Sequence, residues 1–260
     1  MVFTFIKDYV QHWLTAKTRH GTHSPFVYKL TDEVIYDFTA KAEYKSIEQQ
    51  RKKLYNDGSI VEVTDLGAGY HLNKNRKKAV KDIAKNALKS PKLAQLIFRL
   101  AEFSKPSSII ELGTCLGLTT AYLAKSTPTA SVVTIEGCPQ TAAVARKNFQ
   151  ELGLNYIELQ VGNFDLLLPD LIAKQEKLDF VYIDGNHRKD ATLNYFKWCL
   201  PKVGEQTMLI FDDIYWSKGM KEAWDEIKNH PDVTVTIDLF WIGLVFFKKG
   251  QAKEHFKIRY

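Results

Sequence analysis

Apolar and polar positions alternate on two length scales along the second half of the chain. A stretch of helical length follows each of five short apolar runs, which lie at residues 108–110, 131–136, 156–161, 178–184 and 206–212. In the last helical stretch, Met220, Trp224 and Ile227 recur at the spacing of one helix face. Strands that alternate with helices in this way predict βαβ units and a parallel sheet.

The alternation stops near residue 230. Residues 233–238 and 241–247 are both strand-like, and the chain between them is too short for a helix. A short connection forces two strands to pair in the antiparallel direction. We therefore predict an α/β fold with a mostly parallel sheet of about seven strands, the last of which is antiparallel.

The first part of the chain has a different character. Residues 1–105 are mainly helix-like, and Ser90-Pro91 is a typical helix start ahead of Leu93, Leu96 and Ile97 on one face. We predict a helical N-terminal segment, residues 1–105, followed by a sheet domain, residues 106–260.

A glycine turn follows the first predicted strand of the sheet. Glu111 ends the strand, Gly113 and Gly117 form the turn, and a helix begins near Leu118. Such a turn lets a ligand approach the backbone and the N–H groups of the helix start. The glycine spacing differs from the dinucleotide fingerprint, so NAD is not indicated. Glu136 ends the next strand, where an acid typically binds ribose hydroxyls.

Acidic residues also end two later strands. Asp184 follows an apolar run and has His187 three residues beyond it, while Asp212 and Asp213 end the run at 206–212. Ligands of parallel sheets bind at the carboxyl ends of the strands. Carboxylates held close together repel one another unless a cation or shared protons relieve them, and oxygen ligands suit Mg²⁺, Ca²⁺ or Mn²⁺. As an alternative, these acids cap the helices that follow.

Two other segments have unusual sequences. Residues 19–26 contain His20 and His23, which are either ligands or part of a polar turn before a helix that begins with proline. Residues 65–69 look like a second glycine turn, but no acid closes a strand about 20 residues later, as a nucleotide site requires. We interpret residues 65–69 as a loop.

These motifs resemble those of the class I S-adenosylmethionine-dependent methyltransferases, which have a Rossmann-like fold, over roughly residues 107–249. The sequence Asp184-Gly-Asn-His187 together with Asp212-Asp213-Ile214 resembles the small-molecule O-methyltransferases, including the metal-dependent catechol type. In the catechol type the position of Asp213 is commonly Asn and that of His187 commonly Lys, so this chain departs from the pattern at both.

The resemblance implies specific roles for these residues. It places S-adenosylmethionine against Glu111, Gly113, Thr114, Gly117, Thr119, Glu136, Gly137, Gly162, Asn163, Phe164 and Asp184. It places Mg²⁺ or another divalent cation on Asp184, Asp212 and Asp213, and makes His187 the catalytic base. The implied reaction is methyl transfer to a small-molecule acceptor at a hydroxyl oxygen, with residues 1–105 covering the site and selecting the substrate.

The net charge of +6 introduces an alternative partner. Residues 73–85 hold six basic residues against one acid, and such a basic stripe can bind the phosphates of RNA. A solvated face is the more common role of such a stripe. The motifs typical of base methylation are missing, so nucleic acid is not the favoured partner.

The N-terminus offers a further alternative. Its apolar and aromatic stripe is typical of helices at a membrane surface, and also of core packing or a homodimer contact; its members are Phe3, Phe5, Ile6, Val10, Trp13 and Leu14. A non-catalytic role at a membrane surface is therefore a rival interpretation. Without a secretory signal, a membrane-spanning run or a disulfide pattern among its three cysteines, the chain is expected to be cytoplasmic.

Overall fold

The computed structural model describes residues 2–21, 23–64 and 75–260, so residues 65–69 lie outside the described part of the chain. The chain divides into two compact units. We call Met1–Asp37 with Pro169–Tyr260 the terminal unit, and Phe38–Leu168 the middle unit.

Helices and strands are numbered here in chain order. The α-helices are α1 Val2–Thr15, α2 Pro25–Leu30, α3 Ala42–Asn56, α4 Val80–Ala87, α5 Pro91–Ser104, α6 Leu118–Ser126, α7 Pro139–Glu151, α8 Phe164–Ala173, α9 Lys189–Cys199 and α10 Lys218–Asn229. The strands are β1 Ile60–Thr64, β2 Asn75–Ala79, β3 Ser108–Leu112, β4 Ser131–Glu136, β5 Glu158–Val161, β6 Phe180–Ile183, β7 Met208–Asp212, β8 Val235–Asp238, β9 Ile242–Phe246 and β10 Glu254–Lys257.

The middle unit contains three parallel strands in the order β3-β4-β5. Both β3 and β4 are almost wholly buried, as continuous apolar strands of a parallel sheet are. Helices α6 and α7 connect them, and α5 packs on α6. Ser90 caps α5 by accepting a hydrogen bond from the Leu93 N–H at 3.3 Å, as the Ser-Pro start predicts. The predicted βαβ alternation is confirmed here.

A β-hairpin interrupts the predicted helical segment. Strand β1 pairs with β2 in the antiparallel direction, and α4 follows directly. The basic stripe therefore lies partly on a strand, where Arg76, Lys77 and Lys78 are exposed. Lys77 lies opposite Glu62 in the ladder, a favourable cross-strand charge pair. The sequence did not indicate this hairpin, because strand pairing outweighed the local preference of a lysine-rich segment.

The terminal unit contains five strands in the order β10-β8-β9-β7-β6. Strands β6 and β7 are parallel, while β9 is antiparallel to both β7 and β8, which confirms the predicted reversal. The sequence did not predict β10, which is short, polar and parallel to β8 at the edge of the sheet. Among the described residues, β3 to β10 make eight strands besides the β1-β2 hairpin, one more than the predicted seven or so.

Helix α1 packs on the turn between β8 and β9. The rings of Phe5 and Tyr9 meet the Phe240 ring edge-on, with centroids 5.1 and 5.0 Å away. Below them, His12 is buried, and its Nε2 lies 3.0 Å from Asp238 Oδ1. The N-terminal stripe is therefore divided, because Ile6, Val10, Trp13 and Leu14 remain exposed.

The compact units divide the chain differently from the predicted boundary at residue 105. Residues 1–37 pack with the last third of the chain, and residues 38–105 pack with the first strands of the sheet domain. The role of residues 1–105 as a substrate-selecting cap stays a prediction. Among the described helices, none has the length and apolar character needed to cross a membrane.

Candidate functional site

The glycine turn of the middle unit is shaped by left-handed backbone. Gly113, Cys115 and Gly117 have φ angles of 96°, 49° and 82°. A Cβ atom on Gly117 would lie 2.6 Å from Phe149 Cε1, so only glycine fits there. The Gly113 N–H donates to the Ile135 carbonyl at 2.9 Å. The turn is therefore fixed to the end of β4 by its own backbone.

Glu136 joins this turn to the start of α7. Its Oε2 accepts a hydrogen bond from the Cys115 N–H at 2.7 Å. Its Oε1 accepts from the Cys138 N–H at 2.9 Å and from Thr141 Oγ1 at 3.1 Å. The carboxylate is partly exposed. A ribose bound to Glu136 would share the carboxylate with these three protein donors.

Glu111, in contrast, is fully buried beneath the turn. Its Oε2 accepts hydrogen bonds from the hydroxyls of Thr120 and Thr134, the second at 2.7 Å. Thr134 Oγ1 also lies 2.6 Å from Thr114 Oγ1, so the threonines link Glu111 to the turn and to α6. Thr119, beside Thr120, is buried as well. Contact between Glu111 and the methionine end of a cofactor stays a prediction.

The predicted adenine loop adjoins Glu136 through the backbone. The Gly162 N–H donates to the Glu136 carbonyl at 2.9 Å. Asn163 Oδ1 accepts from the Asp165 N–H at 2.9 Å, so Asn163 caps the start of α8. Phe164 and Gly137 are partly exposed. Ten of the eleven predicted cofactor residues lie in the middle unit, whereas Asp184 lies in the terminal unit.

Two acids at neighbouring strand ends of the terminal unit lie side by side. Ile183 pairs with Phe211 in the ladder between β6 and β7, so Asp184 and Asp212 occupy the next pair of positions. Asp212 is 1% exposed. The Tyr182 hydroxyl lies 3.2 Å from Asp184 Oδ2 and 3.2 Å from Asp212 Oδ1. The structure thus brings together two of the three predicted metal ligands.

His187 lies between Asp184 and Asp213. Its Nε2 is 3.7 Å from Asp184 Oδ1 and 3.6 Å from Asp213 Oδ2. Asp184, His187 and Asp212 each offer a ligand atom, and these atoms lie within 4.8 Å of one another. The structure therefore groups His187, rather than Asp213, with the other two acids. Asp213 has a left-handed backbone with φ of 53°, an angle that sequence patterns do not reveal.

Sequence reasoning missed Tyr182. Side chains two residues apart on a strand point to the same face, so Tyr182 precedes Asp184 on one side of β6. A buried tyrosine hydroxyl normally finds a hydrogen-bond partner. The sequence could therefore have indicated a contact between Tyr182 and Asp184, the nearest polar residue on that face.

The donor set fits a divalent cation. Carboxylate oxygens suit Mg²⁺ and Mn²⁺, and an imidazole nitrogen extends the fit to metals such as Mn²⁺ and Zn²⁺. Ligand atoms about 2.1 Å from a cation lie at most about 4.2 Å apart, so the three side chains would need to close only slightly.

Residues 110–214 match the sequence model of a family described as a methyltransferase domain. The matched range runs from β3 to just beyond Asp213. It therefore includes the glycine turn, Glu136 and the acidic ends of β6 and β7.

Two relatives are similar over the same region. The catechol O-methyltransferase of Niastella koreensis is 30% identical over 128 residues, which cover 48% of this chain and 57% of that protein. O-methyltransferase imqG of Aspergillus flavus is 34% identical over 130 residues, which cover 48% of this chain and 51% of that protein. The chain thus spans little more than half the length of these relatives.

Solved structures resemble this chain in fold over most of its length, although their sequences are only distantly similar. The O-methyltransferase from Bacillus cereus in complex with SAH has a TM-score of 0.55 and 21% identity, over 84% of this chain and 94% of that one. SAH-bound PaMTH1 from Podospora anserina has a TM-score of 0.60 and 15% identity, over 88% of this chain and 100% of that one. Residues 110–214 are therefore similar in sequence to a methyltransferase domain, and the chain has the fold of these two solved methyltransferases.

Proposed function

We propose that the chain transfers a methyl group from S-adenosylmethionine to a hydroxyl oxygen of a small molecule. The observation that carries the proposal is the methyltransferase-domain match, because it covers the glycine turn and both acidic strand ends. The names of the similar proteins, a catechol O-methyltransferase and an O-methyltransferase, support oxygen as the acceptor atom.

The middle unit would bind the cofactor. Its left-handed turn offers backbone to the methionine end, and Glu136 offers a carboxylate to the ribose. Gly162, Asn163 and Phe164 would border the adenine. Asn163 also caps α8, so its side chain helps to fix that loop whether or not a cofactor is bound.

The terminal unit would deprotonate the acceptor. An imidazole takes up a proton readily near neutral pH. A proton accepted by His187 Nε2 would be stabilised by Asp184 and Asp213, whose oxygens lie 3.7 and 3.6 Å away. When bound to Asp184 and Asp212, a divalent cation supplies Lewis-acid chemistry that lowers the pKa of the acceptor hydroxyl.

A calorimetric titration of the folded protein with S-adenosylmethionine, in buffer containing Mg²⁺, tests the cofactor proposal. Micromolar binding with one-to-one stoichiometry is expected. Absence of binding by folded protein free of carried-over cofactor would overturn the proposal.

His187 has two candidate roles that a single variant separates. His187→Ala should lower turnover while leaving Mn²⁺ affinity intact if the imidazole acts as the base. Loss of Mn²⁺ affinity together with turnover would instead assign His187 to the cation. The second role is open to His187 because its nitrogen lies close enough to Asp184 and Asp212 to bind the same cation.

RNA is the second candidate partner because Arg76, Lys77 and Lys78 are exposed on β2. Phosphate binding by this strand would produce salt-dependent affinity for tRNA. Absent or salt-insensitive binding would remove RNA as an acceptor and leave the small-molecule proposal.

The exposed face of α1 suggests a further contact. We propose that Ile6, Val10, Trp13 and Leu14 contact a second copy of the chain, in a cytoplasmic homodimer. Light scattering of the protein and of a Trp13→Lys variant tests this proposal. A monomeric wild type that sediments with anionic vesicles would favour the membrane-surface alternative.

A further inference from the structure

Tyr182 is a buried residue whose only polar side-chain atom faces two acids. The residue lies inside β6, where all four side chains are buried. Its hydroxyl lies 3.2 Å from both Asp184 Oδ2 and Asp212 Oδ1. A phenol at this position therefore touches the two carboxylates that end β6 and β7.

One hydroxyl has one proton to donate. It cannot make a full hydrogen bond to both carboxylates at once, and the two equal distances allow it to donate to either one. It also cannot neutralise two negative charges, which repel at this separation. The hydroxyl holds the acids in place without removing the need for a positive charge beside them.

The two oxygens of Asp184 have different surroundings. Oδ2 faces Tyr182, whereas Oδ1 lies 3.7 Å from His187 Nε2. Fixing one oxygen fixes the direction of the other, since the carboxylate is planar. Asp212 is held in the same way through Oδ1.

From this arrangement we propose that Tyr182 is a positioning residue, whose hydroxyl holds Asp184 and Asp212 in the orientation that a divalent cation requires. The inference rests on the cation-assisted form of the proposed function. It does not depend on the identity of the acceptor. Groups that orient metal ligands typically contribute about 10- to 100-fold to metal affinity.

The test is a titration with Mn²⁺ alone, followed by electron paramagnetic resonance of the free ion. Tyr182→Phe removes only the hydroxyl oxygen. Tyr122→Phe is the matched control, because Tyr122 is equally buried and donates to a carboxylate, Glu48, in the middle unit. We expect Tyr182→Phe to weaken Mn²⁺ binding about tenfold or more, and the control to leave it unchanged.

Two further readouts separate positioning from general damage. Tyr182→Phe should unfold in one cooperative transition at a lower melting temperature, because the buried Asp212 loses a donor, and it should keep the wild-type affinity for S-adenosylmethionine. In a double-mutant cycle with Asp184→Asn, the two effects on Mn²⁺ affinity should be less than additive, because the hydroxyl acts partly through that carboxylate and partly through Asp212. If Tyr182→Phe does not fold, ultraviolet difference spectroscopy of the wild type during the Mn²⁺ titration replaces it, and a tyrosine absorbance that does not change with Mn²⁺ would count against the proposal.

Each outcome decides the question. Equal Mn²⁺ affinity of the wild type and Tyr182→Phe would overturn the role of Tyr182 and leave the proposed function intact. Absence of Mn²⁺ binding by the wild type would overturn it too, while cofactor binding would still stand on its own titration. A fall in Mn²⁺ affinity in both tyrosine variants would show a general effect and would also overturn it.

Discussion

The glycine turn and the acidic cluster are built in opposite ways. The turn is fixed mainly by backbone, through three left-handed residues, an N–H bond to Ile135 and a short bond from Cys115 to Glu136. The cluster is made of side chains, and His187 is 3.6 to 3.7 Å from its acids. The cluster is also partly exposed, with 22% of the His187 side chain accessible.

This difference separates a site that is formed in advance from one that its ligand completes. Backbone geometry does not change with protonation, so the turn keeps one shape. In a cluster of acids and an imidazole, the attraction and repulsion between the side chains change whenever a proton or a cation binds. We therefore expect substitutions that disturb the backbone of the turn to act first on folding, and those in the cluster to act on ligand affinity.

The largest expected effect comes from a well-bonded carboxylate of the terminal unit, Asp238. Asp238→Asn should lower the free energy of unfolding by about 3 to 5 kcal/mol at neutral pH, because it removes one partner of a buried pair with His12. Urea unfolding measures this loss. A negligible loss would mean that the buried pair of Asp238 and His12 contributes little to the stability of the protein.

The same variant has a pH dependence of known sign. Burial raises the pKa of Asp238, but the hydrogen bond and charge of His12, the Phe240 N–H and the Tyr215 hydroxyl outweigh it and hold the pKa below its ordinary value. Stability from a lowered pKa is complete above the unfolded value of 3.8 and lost as pH falls through the folded value. The difference in unfolding free energy between the wild type and Asp238→Asn should therefore shrink only as the pH falls below 3.8.

The next effect concerns the turn itself. Gly117→Ala should cost about 2 to 4 kcal/mol of unfolding free energy, from left-handed strain and from overlap with Phe149. Gly153→Ala is the control, since Gly153 has φ of 71° but open space around a Cβ, and should cost about 1 kcal/mol. Equal costs in thermal unfolding would show that the ring of Phe149 moves aside.

The cluster is tested by its two neighbouring acids. Asp212→Asn should weaken Mn²⁺ binding about a hundredfold and leave S-adenosylmethionine affinity nearly unchanged, whereas Asp213→Asn should weaken it about tenfold or less. Calorimetry with each ligand measures both. A larger loss from Asp213→Asn would restore the ligand set predicted from the sequence.

The smallest effects compare two carboxylates of the middle unit. Thr134→Val should cost about 2 kcal/mol, because it removes a donor from the fully buried Glu111. Thr141→Val should cost about 0.5 kcal/mol, since Glu136 is partly exposed and keeps two N–H donors. Chemical unfolding of both variants gives the ranking, and its reversal would contradict the difference in burial.

Much of the fold was predictable because its signals are local. The strand, glycine turn and helix from Ser108 to Ser126 follow one another within 19 residues, and each has its own residue preference. The β10 strand was missed because its sequence, Glu254–Lys257, is polar and its stability comes from pairing with β8. Strand propensity depends strongly on such tertiary context.

The sequence indicated which residues belong to the candidate site, but not which of them lie in contact. Asp184, Asp212 and His187 could be read from strand ends. The sequence did not show that His187 lies closer to this pair of acids while Asp213 lies beside His187, and the contact of Tyr182 with Asp212 joins residues 30 positions apart in sequence. Contacts between residues so far apart in sequence depend on the register in which the strands pair, and a single sequence does not reveal that register.

The interleaved connectivity of the units has a consequence for synthesis of the chain. Helix α1 is synthesised more than 200 residues before its packing partner Phe240. The middle unit is contiguous in sequence, so it can fold while the ribosome is still translating. Until Phe240 has been translated, the apolar surface of α1 is exposed to solvent. A chaperone or a partner chain could bind this surface before β8 and β9 form.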